Sequence, residues 1–112
     1  MKKVEAIVST SKLEEVRISL GRVGVEGMTV TEVRGYGHER GHTELYRGAE
    51  HEVILVPRVK VEIVVEDGRV PALVEELVRV TRTGRIGDGR IFVLPVEDAV
   101  RIRTSERGRD AL

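Results

Sequence analysis

The chain has 112 residues, enough for one domain with a modest hydrophobic core. Nineteen Lys and Arg residues balance nineteen Asp and Glu, so no global field draws in nucleic acid or an anionic membrane. Cysteine is absent, which excludes disulfides, thiol catalysis and cysteine-ligated zinc and fits a reducing cytoplasm.

Met1-Lys2-Lys3 leads straight into a short alternating segment, and no apolar run approaches a membrane span, so a soluble cytoplasmic protein is expected. Lys3 to Val8 alternates as a strand, and Ser11 with Glu14 forms a capping box that opens a helix. Leu13, Val16, Leu20 and Val23 make one helical stripe, which Gly24 ends. Met28 to Arg34, rich in Val and Thr, reads as a second strand, and Val56 to Val65 as a longer third. Pro71 suits the first turn of a second helix whose buried face is Val70, Leu73, Val74, Leu77 and Val78, closed by Gly84. Ile91 to Leu94 is a fourth strand, and Arg101 to Arg103 a short extra one. The order β-α-β-β-α-β predicts an α+β, ferredoxin-like domain with two helices on one face of an antiparallel sheet.

One helix layer leaves the second sheet face bare. Val59, Val61, Ile63 and Val65 alternate with Lys60, Glu62 and Val64, so some apolar area falls on both faces of the third strand. Burial of that face by self-association predicts a homo-oligomer.

The segment Thr83-Gly84-Arg85-Ile86-Gly87-Asp88-Gly89-Arg90-Ile91-Phe92-Val93 places a glycine-lined turn directly before a strand. Such turns let backbone N–H groups converge on an anion, although hairpins use the same residues for conformational reasons alone. Arg101 and Arg103 lie at i and i+2, where a strand would put both guanidiniums on one side and Ile102 on the other. Together these features point to a polyphosphate site, with each charge-assisted hydrogen bond contributing about 1.5–3 kcal/mol.

Between the second and third strands lies a polar, glycine-punctuated stretch from about Gly37 to Glu52, much longer than a hairpin connection. Loops of that length in compact domains are functional or disordered. Tyr46 and Arg47 are residue types enriched at protein-binding hot spots. His38, His42 and His51 share the loop with Glu39, Glu44, Glu50 and Glu52, but their spacing fits no tight metal motif, so solvated histidines are the expectation.

Gly41-His42-Thr43-Glu44-Leu45-Tyr46-Arg47-Gly48-Ala49-Glu50 and the Thr83 to Val93 segment closely resemble the PII nitrogen-regulatory signal-transduction family, supported by Glu26 to Val33 and Arg101 to Thr104. The resemblance runs from Met1 through about Thr104. It implies a single domain over 1–112, a ferredoxin-like βαββαβ subunit of a homotrimer, with a long T-loop between the second and third strands at about 37–55 and a flexible tail at about 105–112. It further implies ATP or ADP in each cleft between neighbouring subunits. The phosphates would lie on Gly87, Asp88, Gly89 and Arg90, near His38, and meet Arg101 and Arg103. Thr29, Gly35, Gly37, Glu62 and Val64 would line the adenine and ribose side. In the family the T-loop engages ammonium channels, a nitrogen sensor kinase, adenylyltransferases or an arginine-pathway kinase, which would place partner contacts on Tyr46, Arg47 and Gly48. Contact with a membrane would come only through a channel partner.

The chain also departs from the family pattern. His51 stands where uridylylated members carry tyrosine, and Ala49 lacks the hydroxyl that some relatives phosphorylate, so covalent control at these positions is not expected. Glu39 replaces the glutamine that ligates Mg2+ between ATP and 2-oxoglutarate. As a carboxylate it can hold the metal, but it adds negative charge beside two anions. Arg58 stands where a lysine pairs with the 2-oxoglutarate carboxylate, and its planar fork fills different space. ATP and ADP binding is expected to survive while 2-oxoglutarate binding is weakened or lost. The alternative is a PII-like sensor of a different small ligand or metal. An enzyme is not expected, since no Ser-His-Asp set, lysine nucleophile or paired-carboxylate site emerges. RNA binding lacks aromatic platforms, with only Phe92 clearly on a strand.

Overall fold

The computed structural model describes residues 1–37 and 54–112. Four strands, β1 (Lys2–Ser9), β2 (Thr29–Gly35), β3 (Val56–Val65) and β4 (Arg90–Pro95), form one antiparallel sheet in the order β2-β3-β1-β4. Helices α1 (Leu13–Arg22) and α2 (Val70–Thr81) complete the ferredoxin-like arrangement. Period-two patterning decides which sheet face the helices cover. Val4, Ala6 and Val8 of β1 lie opposite Ile63, Val61 and Val59 of β3 and are buried with them. Val16 and Leu20 of α1 and Leu73 and Leu77 of α2 close this core. The two buried polar side chains among the described residues are satisfied within their own helices: Ser19 Oγ donates to the Val16 carbonyl at 2.8 Å and Thr81 Oγ1 to that of Leu77 at 2.7 Å.

The helix termini differ from the sequence expectation in two places. A 3-10 turn over Thr10–Lys12 precedes α1, Lys12 occupies the cap, and no side chain caps the helix. Ser11 Oγ instead pairs with Ser9 Oγ at 3.0 Å, and Glu14 accepts from Arg17, so the capping box does not form. At the other end of α1, Gly24 adopts φ +72° as expected of a helix stop. Helix α2 ends at Thr81, where Arg82 turns extended, so Gly84 belongs to the following turn rather than to the helix end.

The uncovered sheet face carries Lys3 and Glu5 of β1 beside Lys60 and Glu62 of β3. Lys3 Nζ lies 2.9 Å from Glu62 and 3.7 Å from Glu5, and Lys60 Nζ lies 3.9 Å from Glu5. The centre of this face is therefore a patch of alternating charge, more polar than expected. Apolar area flanks it at Val64 on β3 and at Phe92 and Leu94 on β4.

The expected strand at Arg101 to Arg103 is a turn. Ser105 N donates to the Arg101 carbonyl at 2.7 Å, Arg101 N donates to Glu106 O at 2.9 Å, and Val100 forms an isolated bridge with Arg107. Ser105 takes a left-handed φ of +64°, which reverses the chain and cancels the period-two geometry that would align Arg101 with Arg103. Ile102 is 97% exposed. The segment 105–112, expected as a flexible tail, carries a 3-10 turn over Gly108–Ala111, a Gly108 N to Ala99 O bond at 3.0 Å and an Arg109–Glu66 ion pair at 3.3 Å. Among the described residues no helix is long and apolar enough to cross a membrane.

Candidate functional site

The glycine turn between α2 and β4 is held by its own aspartate. Asp88 accepts from Thr83 N at 2.8 Å, from Gly84 N at 2.9 Å and from the Thr83 hydroxyl. These donors, the Thr83 hydroxyl first, hold the Asp88 carboxyl below its ordinary value, with the nearby Arg85 cation adding to the effect. The carboxylate thus stays ionised, with both oxygens turned back onto donors of its own loop. Gly87 and Gly89 adopt φ +108° and +100°, which L side chains rarely reach.

Beside this turn opens a cleft of about 640 Å³, lined by Gly35, Tyr36 and Gly37 at the end of β2, Arg58 of β3, Ile7 of β1, the stretch Arg85 to Arg90, and Phe92 of β4. The topology explains the convergence, because the ends of β1 and β2 and the beginnings of β3 and β4 share one end of the antiparallel sheet. Arg58, Arg85 and Arg90 give the cleft three guanidiniums, and Ile7, Ile86, Phe92 and the Tyr36 ring give it apolar walls. Such a cavity can hold an anion that also has an apolar or planar part.

Of the residues singled out from the sequence, the structure brings together Gly35, Gly37, Arg58, Gly87, Asp88, Gly89 and Arg90. Thr29, Glu62 and Val64 lie elsewhere. Thr29 pairs with Glu62 across β2 and β3, and six residues along β2 separate Thr29 from Gly35, about 20 Å at the rise of a strand. Glu62 accepts from Lys3 at 2.9 Å, and this bond lowers the Glu62 pKa and raises that of Lys3. Val64 lines a separate hollow with Gly24 to Gly27, Arg69 and Arg109. Arg101 and Arg103 sit on the C-terminal turn, where Arg101 donates to Glu106 at 3.1 Å and to the Leu112 carbonyl at 2.9 Å. The expected shared guanidinium face with Arg103 is absent because that segment is not a strand.

His38, Glu39, His42, Tyr46, Arg47, Gly48, Ala49 and His51 lie outside the described residues. Among the described residues no cluster of His, Asp and Glu is arranged to hold a metal ion. The sequence reading missed Ile7, Tyr36, Arg85, Ile86 and Phe92 as cleft residues. Arg85 and Ile86 lie within the glycine segment and could have been included on that ground; Ile7 and Tyr36 reach the cleft only through strand register.

The family described as Nitrogen regulatory protein P-II matches residues 1–106. The chain is 55% identical to the Nitrogen regulatory protein P-II of Azospirillum brasilense and 56% identical to that of Pasteurella multocida, in each case over 112 residues and the full length of both proteins. The solved structure of Arabidopsis thaliana PII bound to citrate superimposes with a TM-score of 0.81 at 40% identity, covering 99% of this chain and 91% of that one. A match across nearly the whole sequence, joined to the same ferredoxin-like architecture, places this chain in the P-II family of nitrogen regulatory signal-transduction proteins.

Proposed function

We propose that the protein binds ATP and ADP between the subunits of a homotrimer and passes nucleotide state to nitrogen-metabolism targets through the loop of residues 37–55. The observation that carries this reading is the separation of the expected contacts into two groups. Gly35, Gly37 and Gly87 to Arg90 gather at one end of the sheet, whereas Thr29, Glu62, Val64 and the Arg101 turn lie toward the other. A compact nucleotide cannot meet both groups in one chain, but a neighbouring copy can present its second group to the first group of its partner. The uncovered sheet face supplies a surface for such packing.

Within this reading the phosphates lie along the Gly87–Arg90 turn, whose backbone and three nearby guanidiniums oppose their charge. Arg101 and Arg103 of a neighbour would add to that field. A change at the γ-phosphate then shifts the population of loop arrangements that a protein target selects, whether an ammonium channel or a regulatory enzyme. Covalent uridylylation at position 51 plays no part, because an imidazole has no phenolic oxygen. Mg2+ held with ATP would fall to Glu39, and 2-oxoglutarate to Glu39 with Arg58, with the second ligand bound weakly.

A PII-like sensor of another small anion is favoured by one observation: the Arabidopsis relative is bound to citrate, and the guanidinium-lined cleft here suits a carboxylate as well as a phosphate. Calorimetry with ATP, with ADP, and with Mg-ATP plus 2-oxoglutarate or citrate, run beside sedimentation of the same sample, tests both readings. The expected result is a trimer that binds both nucleotides and gains little from 2-oxoglutarate. A single-chain species indifferent to ATP and ADP would exclude the first reading, and citrate binding without nucleotide would favour the second.

A further inference from the structure

We infer that Arg58 is a positioning residue, which latches the tip of the glycine turn to strand β3 and holds the cleft ready before any ligand arrives. Its Nη1 donates to the Gly87 carbonyl at 2.5 Å, joining positions 29 residues apart in sequence. The other anchors of the turn among the described residues act elsewhere. Asp88 ties the turn to Thr83 and Gly84 at its beginning, and Gly89 packs against the Ile7 backbone at its end. Neither reaches the tip. Ile86 is 74% exposed, so apolar packing does little to fix it. Among the described residues, the bond from Arg58 therefore supplies the tie between the tip and the sheet.

Arginine suits this task better than lysine does. A guanidinium has five donors in a rigid planar fork, so a single head can make several directed bonds at once. An ammonium is a point charge that must divide three donors between both duties. Arg58 belongs to the strand that follows the 37–55 loop, whereas Gly87 belongs to the proposed phosphate turn. A ligand that pulled Arg58 toward itself would loosen the turn, and one that bound the turn would fix Arg58. This inference rests on the proposed nucleotide reading for its consequence, but not for the latch itself.

The test is hydrogen exchange of the ligand-free protein, wild type against Arg58→Ala and Arg58→Met, the second variant keeping a long apolar stem without donors. Loss of a charged hydrogen bond should speed exchange of amides 84–88 by roughly ten-fold in both variants. Amides of β1 and α2 should keep their rates, which shows that the fold is intact. Calorimetry with ATP should show weaker binding by a similar factor. Unchanged exchange over 84–88 in a folded variant overturns the latch, even if ATP affinity falls, because Arg58 would then be a ligand contact alone. Faster exchange in variants of a wild type that ignores ATP keeps the latch and rejects the nucleotide reading. If Arg58→Ala does not fold, Arg58→Met decides, and uniform loss of protection across β1 and α2 in both variants overturns the local role.

Discussion

The backbone of Gly89 passes so close to Ile7 that a Cβ on residue 89 would lie 2.0 Å from the Ile7 carbonyl oxygen and 3.2 Å from the Val8 Cα. The obstacle is main chain of the central strand β1, which cannot rotate aside. Position 89 also has φ +100°. Gly89→Ala therefore combines backbone strain with a clash and should destabilise the protein by about 3 kcal/mol or displace the turn. Gly84 provides the control: it has φ +85° but open space around its missing Cβ. Gly84→Ala should cost only about 1 kcal/mol. Chemical denaturation of both variants checks the contrast, and equal costs would show that the close approach to β1 is not the reason for glycine at 89.

Much of the fold was legible because the hydrophobic period was unambiguous. The ten-residue alternation of β3 and the Pro71 start of α2 emerge at the expected positions, since nothing local competes with them. The errors arose where short-range polar contacts decide conformation. Ser11 had two options, a cap or a hydroxyl partner at Ser9, and sequence spacing does not distinguish them. Arg101-Ile102-Arg103 alternates like a strand, but the reversal depends on the left-handed Ser105 and on the return of Arg107 to Val100. The glycine turn has the residues of an anion cradle, but the inward use of Asp88 and the close approach of Gly89 to β1 depend on tertiary placement that the local sequence does not encode. The cleft walls from Ile7 and Tyr36 depended on strand order, which no local pattern encodes.

Asp88 gives a pH prediction with a definite sign. Folding lowers its pKa through the Thr83 hydroxyl and the Thr83 and Gly84 amides. Its stabilising contribution is thus complete above the unfolded value near 3.8 and is lost as pH falls through the lowered folded value. A carboxyl-carbon NMR titration should find the midpoint below 3.8, and Thr83→Ala should move it upward. The stability gap between wild type and Asp88→Asn should shrink in the same acidic range. A midpoint at the ordinary value would mean that the clasp does not persist in solution.

Arg69 joins the two helices by a polar route. It donates to Val23 O at 3.1 Å and Gly24 O at 3.2 Å, and so satisfies carbonyls at the C-terminus of α1 from the N-terminus of α2. Two exposed contacts with a favourable helix dipole amount to about 1 kcal/mol. Arg69→Ala should lower the denaturation midpoint accordingly, while Arg109→Ala, which breaks the surface ion pair with Glu66, should change it by less than about 0.5 kcal/mol. Equal effects would argue that Arg69 acts as a surface charge rather than as a cap.

Self-association through the uncovered sheet face is tested at Leu94. Its partner across the β1–β4 ladder is Lys3, which places it beside the charged patch, and it is 37% exposed in the single chain. Leu94→Asp should leave the subunit folded but shift sedimentation toward a smaller species, because a carboxylate would enter an interface that already contains Glu5 and Glu62. Glu15→Lys, on the exposed side of α1, should leave assembly unchanged. Assembly of Leu94→Asp indistinguishable from wild type would place the interface elsewhere.

Arg101 is committed in the single chain to Glu106 and the Leu112 carbonyl, and Glu106 also accepts from Thr104 at 2.7 Å. A nucleotide phosphate approaching Arg101 from a neighbouring subunit would therefore meet a cation already partly neutralised by a carboxylate. Glu106→Gln keeps the shape and removes the charge, so ATP and ADP should bind about two- to five-fold more tightly, with the gain fading as salt screens the phosphates. Arg101→Ala should weaken both nucleotides by roughly ten-fold or more, as expected for loss of a charge-assisted contact. The double variant separates the effects: if Glu106 acts by restraining Arg101, its substitution should give little benefit once Arg101 is gone. A full benefit in the double variant would instead assign Glu106 a direct repulsion of the phosphates, independent of the arginine it holds.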